Sequence, residues 1–97
     1  MKELYEKLYE LNYRLCSYHF SSIKKLEKEY KNILLLPTDK FPGHMKEEFD
    51  WIKTTLKKHF EKRSLFFFIR RKKINTQDCD KMLQLLNEFE FYLKNNK

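Results

Sequence analysis

The chain has 97 residues, of which 21 are Lys or Arg and 14 are Asp or Glu, so its net charge is +7. This length predicts a single domain with one modest hydrophobic core, and it excludes a multidomain enzyme. Apolar residues form 41% of the chain and include nine Phe and six Tyr, which is too large an apolar share for a disordered protein.

The first 34 residues carry the spacing of an amphipathic helix. Four leucines separated by four, three and four positions form one apolar stripe. They are Leu4, Leu8, Leu11 and Leu15. A second stripe begins at Ile23, and the helical spacing is broken between the two stripes, where Ser21 and Ser22 lie. Two helices that meet at the serines fit this pattern, but we favour one long helix over residues 2–34 with a kink, because no Pro or Gly interrupts it.

Three tyrosines recur at every fourth position beside the leucine stripe. They are Tyr5, Tyr9 and Tyr13. Tyrosine is enriched among the residues that dominate protein interfaces, so these side chains are candidates for a partner or dimer interface. The alternative is that the first helix packs between two neighbouring helices and the tyrosines fill the second contact. The sequence leaves homodimerisation open.

Both prolines and the only glycine fall in residues 35–43, and they predict the clearest break in the chain. A second helix over about residues 44–63 follows, because apolar residues recur there at helical spacing. These are Met45, Phe49, Ile52, Leu56 and Phe60. Acidic residues crowd the start of this helix and basic residues crowd its end, which is the arrangement that the helix dipole favours.

Residues 64–74 are basic and rich in Phe, and they contain a run of five apolar residues at 65–69. Such a run fits a buried strand or a buried helical turn, and we favour a helix or irregular packing because no partner strand is evident. A last helix over about residues 76–94 begins after Asn75 as its N-cap. The fold class expected for residues 1–97 is therefore a single all-α domain, a compact three- to four-helix bundle with a long N-terminal helix.

Positive charge is concentrated in residues 53–73, the basic segment, which holds nine basic side chains and one acidic one and has a net charge of +8. The nine are Lys53, Lys57, Lys58, Lys62, Arg63, Arg70, Arg71, Lys72 and Lys73. The other 76 residues together are almost neutral. A cluster of this density is typical of proteins that contact phosphates, so we expect it to bind RNA, DNA or a nucleoprotein complex. An acidic protein surface is the alternative partner.

Aromatic residues lie among the basic ones, and rings beside cations are typical of proteins that bind single-stranded nucleic acid. The alternative is that Phe60 and the Phe residues at 66–68 belong to the core. Basic residues around a Phe run also occur in membrane anchors, but five apolar residues make a small anchor and we do not expect membrane binding. No apolar run reaches the roughly 18 residues needed to span a bilayer, and we expect a cytoplasmic protein.

The sequence shows no set of residues that would make a catalytic or metal site, and we expect no cofactor. Cys16 and His19 lie on adjacent helical turns, but a zinc site needs about four ligands and only Cys79 could supply a third. A chain with one glycine also lacks a Gly-rich phosphate loop. We expect both cysteines to be free thiols in a reducing compartment, with a single Cys16–Cys79 disulfide as the alternative.

Arg14 and His19, separated by four residues, resemble the signature of the HEPN ribonucleases, in which a histidine follows an arginine within a few positions. The resemblance covers six residues. In that family a polar residue usually follows the arginine and the motif lies late in the bundle, whereas here Leu15 follows and the motif lies in the first helix. The resemblance implies RNA cleavage by a dimer that brings two motifs together.

Lys outnumbers Arg by 17 to 4, and residues with A/T-rich codons predominate, which indicates an A/T-rich genome. Small size and this codon usage are typical of proteins from phages and mobile elements. In general character, without a shared motif, the chain resembles the anti-CRISPR inhibitors of nucleic-acid-guided nucleases. We therefore expect a small non-enzymatic protein that binds nucleic acid or a nucleoprotein complex. A helical adaptor or dimer with an acidic partner is the alternative, and a HEPN-like ribonuclease is the third candidate.

Overall fold

A computed structural model describes residues 2–60 and 75–95, and in these residues it contains four α-helices, one short 3₁₀ helix and no strand. The helices are α1 (Lys2–Ser17), α2 (Ser22–Leu34), α3 (Gly43–Phe60) and α4 (Thr76–Asn95). The 3₁₀ helix, Thr38–Lys40, lies between α2 and α3. The all-α bundle expected from the sequence is confirmed.

The bundle begins with a long helix, as predicted, but α1 ends at Ser17, and our preference for one continuous helix over residues 2–34 is wrong. Ser21 has an extended backbone, and its Oγ accepts a hydrogen bond from the backbone N–H of Lys24 at 3.4 Å. That is the bond of an N-cap, which starts a new helix without Pro or Gly. The two apolar stripes therefore belong to two helices.

The apolar stripes of the four helices meet in one core. Both α2 and α4 pack against each of the other three helices. Every residue of the predicted leucine stripe in α1 is buried, as are the predicted α3 positions up to Leu56. From α4 the core receives Cys79, Met82, Leu85, Leu86, Phe89 and Leu93. Helical spacing in the sequence thus identified the buried faces of α1 and α3.

A buried amide fixes α1 against α4. Asn12 is 4% exposed, and its Nδ2 donates to the backbone carbonyl of Leu86 at 3.1 Å and to Oε1 of Glu90 at 2.8 Å. Burial of an amide costs free energy unless it is hydrogen-bonded, so these bonds favour one relative position of the two helices. Nearer the start of α4, Ser22 Oγ of α2 donates a hydrogen bond to the carboxylate of Asp80.

The connection from α2 to α3 enters the core although it contains both prolines. Phe41 is 3% exposed, and its ring stacks on Phe49 at 4.3 Å between centroids and meets Phe89 edge-on at 5.4 Å. Leu36 is buried as well. The break in helix structure was predicted correctly, but the two core residues inside it were not, because they lie beside the prolines, where no helix was expected.

The N-cap of α4 is confirmed, since Asn75 Oδ1 accepts a hydrogen bond from the backbone N–H of Gln77 at 2.8 Å. Helix α4 therefore starts where the sequence predicted. The predicted end of the second helix at residue 63 and the segment 64–74 lie outside the described residues, and the expectations for them stay predictions. Within the part of the chain that the structure describes, no helix is both long and apolar enough to cross a membrane.

Candidate nucleic-acid interface

The described part of the basic segment is the last two turns of α3. Lys57 and Lys58 are exposed there, at the carboxyl end of the helix. Cations are favoured at this end because the unpaired carbonyl groups give it a partial negative charge. The helix therefore holds two positively charged side chains in solvent, where a phosphate can approach them.

Lys53 is placed differently from its neighbours in the basic segment. Its Nζ donates to Thr38 Oγ1 at 2.7 Å, lies 3.8 Å from Oδ1 of Asp50 and sits 5.2 Å from the centroid of the Phe49 ring. The side chain is half-buried. These contacts join α3 to the 3₁₀ helix and offset part of the lysine charge, so Lys53 has a structural role that the sequence did not reveal.

Six of the nine predicted contact residues lie outside the described residues, and their role stays a prediction from the sequence. They are Lys62, Arg63, Arg70, Arg71, Lys72 and Lys73.

Phe60 lies at the end of α3, beside the exposed lysines. It is half-buried, and its ring packs against Tyr30 of α2 with 5.6 Å between the centroids. This contact favours the core alternative for Phe60 over a role in base stacking. It also places α2 against the end of α3 that carries Lys57 and Lys58.

A buried ion pair links α1 and α2. Glu29 is 3% exposed, and Arg14 Nε donates to its two carboxylate oxygens at 3.1 and 3.2 Å. The hydroxyl of Tyr18 and Nδ2 of Asn32 donate to the same carboxylate. Burial raises the pKa of Glu29, but the hydrogen bonds from Tyr18, Arg14 and Asn32 outweigh it and leave the pKa below the ordinary value.

The Arg14 guanidinium is thus bound to a carboxylate inside the protein, whereas His19 is exposed in the connection between α1 and α2. The pKa of Tyr18 is raised, first by its hydrogen bond to this carboxylate, then by burial and by the negative charge of Glu29. The bonds between Arg14 and Glu29 give Arg14 a structural role, so its presence does not require a function in RNA cleavage.

The ion pair also reveals a second basic surface, on α2. Because Arg14 neutralises Glu29, the remaining charges of α2 are four lysines and one glutamate, Glu27, a net charge of +3. The lysines are Lys24, Lys25, Lys28 and Lys31. The sequence did not reveal this surface, because the 76 residues outside the basic segment were taken together as almost neutral. The pairing of Arg14 with Glu29 is a tertiary contact that no local pattern indicates.

An aromatic pair lies beside the α2 lysines. The rings of Tyr18 and Phe20 are stacked, with 5.3 Å between centroids and 26° between planes. Lys28 Nζ lies 5.4 Å from the Tyr18 centroid and 5.9 Å from that of Phe20. Phe20 is 46% exposed and lines a shallow depression together with Ser21, Lys24, Glu27 and Lys28.

The three predicted interface tyrosines of α1 separate into one partly buried and two exposed residues. Tyr5 is half-buried against the core, and its ring lies 6.3 Å from that of Tyr9. Tyr9 is 52% exposed and Tyr13 is 68% exposed. Only Tyr9 and Tyr13 therefore present most of their rings to a partner.

The two cysteines are free and differ in environment. Cys16 is exposed, while burial, with smaller contributions from Asp80 and Asp78, raises the pKa of Cys79 to about 11. Among residues 2–60 and 75–95, no group of three or more His, Cys, Asp or Glu side chains is arranged to hold a metal ion.

Comparison of the chain with protein-family models, with curated proteins and with solved structures finds no match.

Proposed function

We propose that this protein is a small non-enzymatic nucleic-acid-binding protein that uses the basic segment to contact the phosphates of RNA or DNA, alone or within a nucleoprotein complex. The observation that carries the proposal is the net charge of +8 on 21 residues of an otherwise nearly neutral chain. Neutralised phosphates release counterions, which favours binding with little dependence on base sequence. The exposure of Lys57 and Lys58 supports this use of the segment.

Codon usage does not account for the cluster. An A/T-rich genome inflates lysine throughout a chain, but here three of the four arginines fall in the basic segment as well. Most arginine codons are rich in G and C, so their presence runs against the codon bias. Arginine also binds phosphate through paired N–H groups, which suits the proposed contact.

The finer form of the proposal is that the protein comes from a phage or mobile element and inhibits a nucleic-acid-guided nuclease, as anti-CRISPR-like proteins do. The basic segment of this 97-residue chain supports this form, because a small basic protein competes with the nuclease for contact with nucleic acid. We place this function in the cytoplasm, which the free thiols of Cys16 and Cys79 support. Purification at low salt tests the finer form, since a guided nuclease complex should then be retained with the protein.

Charge reversal tests the binding proposal. The first variant changes Arg70, Arg71, Lys72 and Lys73 to Glu, and the second changes Lys57 and Lys58 to Glu. Fluorescence anisotropy with a labelled single-stranded RNA and a labelled single-stranded DNA at low salt should show a large loss of affinity in the first variant and a smaller loss in the second. Circular dichroism verifies that each variant folds.

The matched control is the double variant Lys40→Glu, Lys46→Glu, which makes the same charge change as the second variant at two exposed lysines outside the basic segment. It should weaken binding less than Lys57→Glu, Lys58→Glu. Retention of RNA and DNA by the quadruple variant at the level of the parent protein would contradict the proposal.

A second candidate function, a protein-binding adaptor or dimer, is favoured by the exposure of Tyr9 and Tyr13. Sedimentation of the parent protein and of the double variant Tyr9→Ser, Tyr13→Ser tests self-association. A dimer that dissociates in this variant but persists in Phe91→Ser, which alters an exposed ring on α4, would support this candidate. A monomeric parent protein would exclude the dimer.

The HEPN-like ribonuclease stays the third candidate, and the bonds between Arg14 and Glu29 weigh against it. Incubation of the parent protein with labelled RNA tests it directly. Intact RNA would end this candidate, and cleavage that Arg14→Ala or His19→Ala abolishes would revive it.

A further inference from the structure

The connection between α1 and α2 presents an aromatic ring at the surface. Phe20 lies in this connection with 46% of its surface exposed, between the exposed residues His19 and Ser21. Single exposed apolar residues are common and need no explanation by themselves. Phe20 differs because its position and its charged surroundings are both defined by neighbouring side chains.

The position of the ring is defined through Tyr18. Phe20 stacks on Tyr18 at 5.3 Å, and the Tyr18 hydroxyl donates to the buried carboxylate of Glu29. Glu29 is in turn bound by Arg14 of α1. A chain of contacts therefore joins the exposed ring to the bundle, and a preorganised ring loses little conformational entropy when a ligand stacks on it.

The charge beside the ring is positive. Lys28 Nζ lies 5.9 Å from the Phe20 centroid, and Lys24 lines the same shallow depression as Phe20. Glu27 also lines the depression, but the surface charge of α2 remains +3 once Glu29 is paired with Arg14. The complementary ligand is an anion that also has an apolar face.

A single-stranded nucleic acid has both features, since each nucleotide carries a phosphate and a base with two open faces. A duplex hides the faces of its bases, and an acidic protein surface would be bound by the lysines without a need for the ring. We propose that Phe20 is a stacking site for one base of a single-stranded nucleic acid, with Lys24 and Lys28 contacting the adjacent phosphates. This inference rests on the proposed function and adds a contact outside the basic segment.

Two labelled oligonucleotides of equal length should be compared, one with normal bases and one with abasic sites. The comparison separates the contribution of base stacking to affinity from that of the phosphate charge. Base stacking on an aromatic ring contributes roughly 1–3 kcal/mol per base, so Phe20→Ala should weaken binding of the normal strand by about 5- to 150-fold. Binding of the abasic strand, which keeps only the phosphates, should change much less. Fluorescence anisotropy at low salt measures both.

The matched control is Phe91→Ala, because Phe91 is 70% exposed and lies on α4 in a depression lined by Glu88 and Glu90. This variant should bind both strands as the parent protein does. Equal affinity of Phe20→Ala and the parent protein for the normal strand would overturn the stacking site while leaving the proposed function intact. Failure of the parent protein to bind either strand would instead overturn the proposed function.

Discussion

Glu29 shows how one buried side chain alters the distribution of charge between two helices. Three side chains from α1, α2 and their connection bind its carboxylate: Arg14, Tyr18 and Asn32. Hydrogen bonds to charged groups stabilise more than neutral ones, but a buried ion pair loses much of this gain to desolvation. The clearest consequence of the pair is therefore structural, because it joins α1 to α2 across their short connection.

We expect Arg14→Ala to lower the free energy of unfolding by about 2 kcal/mol, because it leaves a buried carboxylate with one partner fewer. The loss is smaller than for a fully buried pair, since the Arg14 side chain is 40% exposed. Urea denaturation measures the change. The control is Lys7→Ala, which removes the exposed Lys7–Glu3 pair at 3.3 Å and should change stability by at most about 1 kcal/mol. Equal effects of the two substitutions would contradict this account.

The lowered pKa of Glu29 makes stability depend on acidity. The pKa of Glu29 is lower in the folded protein than in the unfolded chain, where glutamic acid has a pKa of ~4.3. The ionised carboxylate therefore stabilises the folded protein at pH values above the unfolded pKa. This stabilisation is lost as the pH falls through the folded pKa. The free energy of unfolding should therefore fall more steeply on acidification below pH ~4.3 in the parent protein than in Glu29→Gln. Glu27→Gln, on the exposed side of α2, is the matched control, and a parent-like slope in Glu29→Gln would refute the prediction.

The two thiols should differ in reactivity. Cys16 is exposed, whereas Cys79 is 0% exposed and has a pKa raised to about 11, so little thiolate exists at Cys79 at neutral pH. Labelling of the native protein with a thiol reagent should show one fast and one slow cysteine. Cys16→Ser should remove the fast phase. Equal rates for the two cysteines in the native protein would contradict the buried position of Cys79.

At the scale of the elements, the buried ring of Phe41 anchors the connection from α2 to α3 in the core. We expect Phe41→Ala to cost about 3–5 kcal/mol, because it removes a buried ring that contacts both Phe49 and Phe89. Leu35→Ala, in the same connection but 75% exposed, should change stability by less than about 0.5 kcal/mol. Thermal and urea denaturation measure both, and a similar cost for the two would show that Phe41 is not a core residue.

The sequence predicted an element well where its apolar residues follow a regular period. The buried faces of α1 and α3, and the N-cap at Asn75, agree with the structure. Continuity across Ser21 was wrong because a serine cap starts a helix without any breaking residue. Phe41 was missed because it lies between Pro37 and Pro42, in a connection where no apolar stripe was expected.

The candidate site was predicted only in part, for a related reason. Exposure of Lys57 and Lys58 follows from their position on α3, which the apolar period defines. The contact of Lys53 with Thr38 and the pairing of Arg14 with Glu29 join residues 15 positions apart. Such contacts depend on how the helices and connections pack, so the local spacing of residues does not predict them.

At the scale of the molecule, exposed lysines occur on two neighbouring helices. Tyr30 of α2 contacts Phe60 at the end of α3, so α2 lies against the part of α3 that carries Lys57 and Lys58. The exposed acidic residues of α3, by contrast, lie in its first half: Glu47, Glu48 and Asp50. The exposed lysines at the end of α3 are therefore separated from the acidic residues at its start, which favours a polyanion that approaches that end of the helix.

The salt dependence of binding tests the central claim most directly. The association constant for a short single-stranded RNA should be measured by anisotropy between about 50 and 200 mM salt, for the parent protein and for the variant with Arg70, Arg71, Lys72 and Lys73 changed to Glu. For the parent protein, the logarithm of the constant should fall linearly with the logarithm of salt concentration, with little dependence on base sequence. The variant should bind weakly and show a shallower slope. Absence of binding by the parent protein at the lowest salt, or an affinity that salt does not change, would contradict nucleic-acid binding through the basic segment.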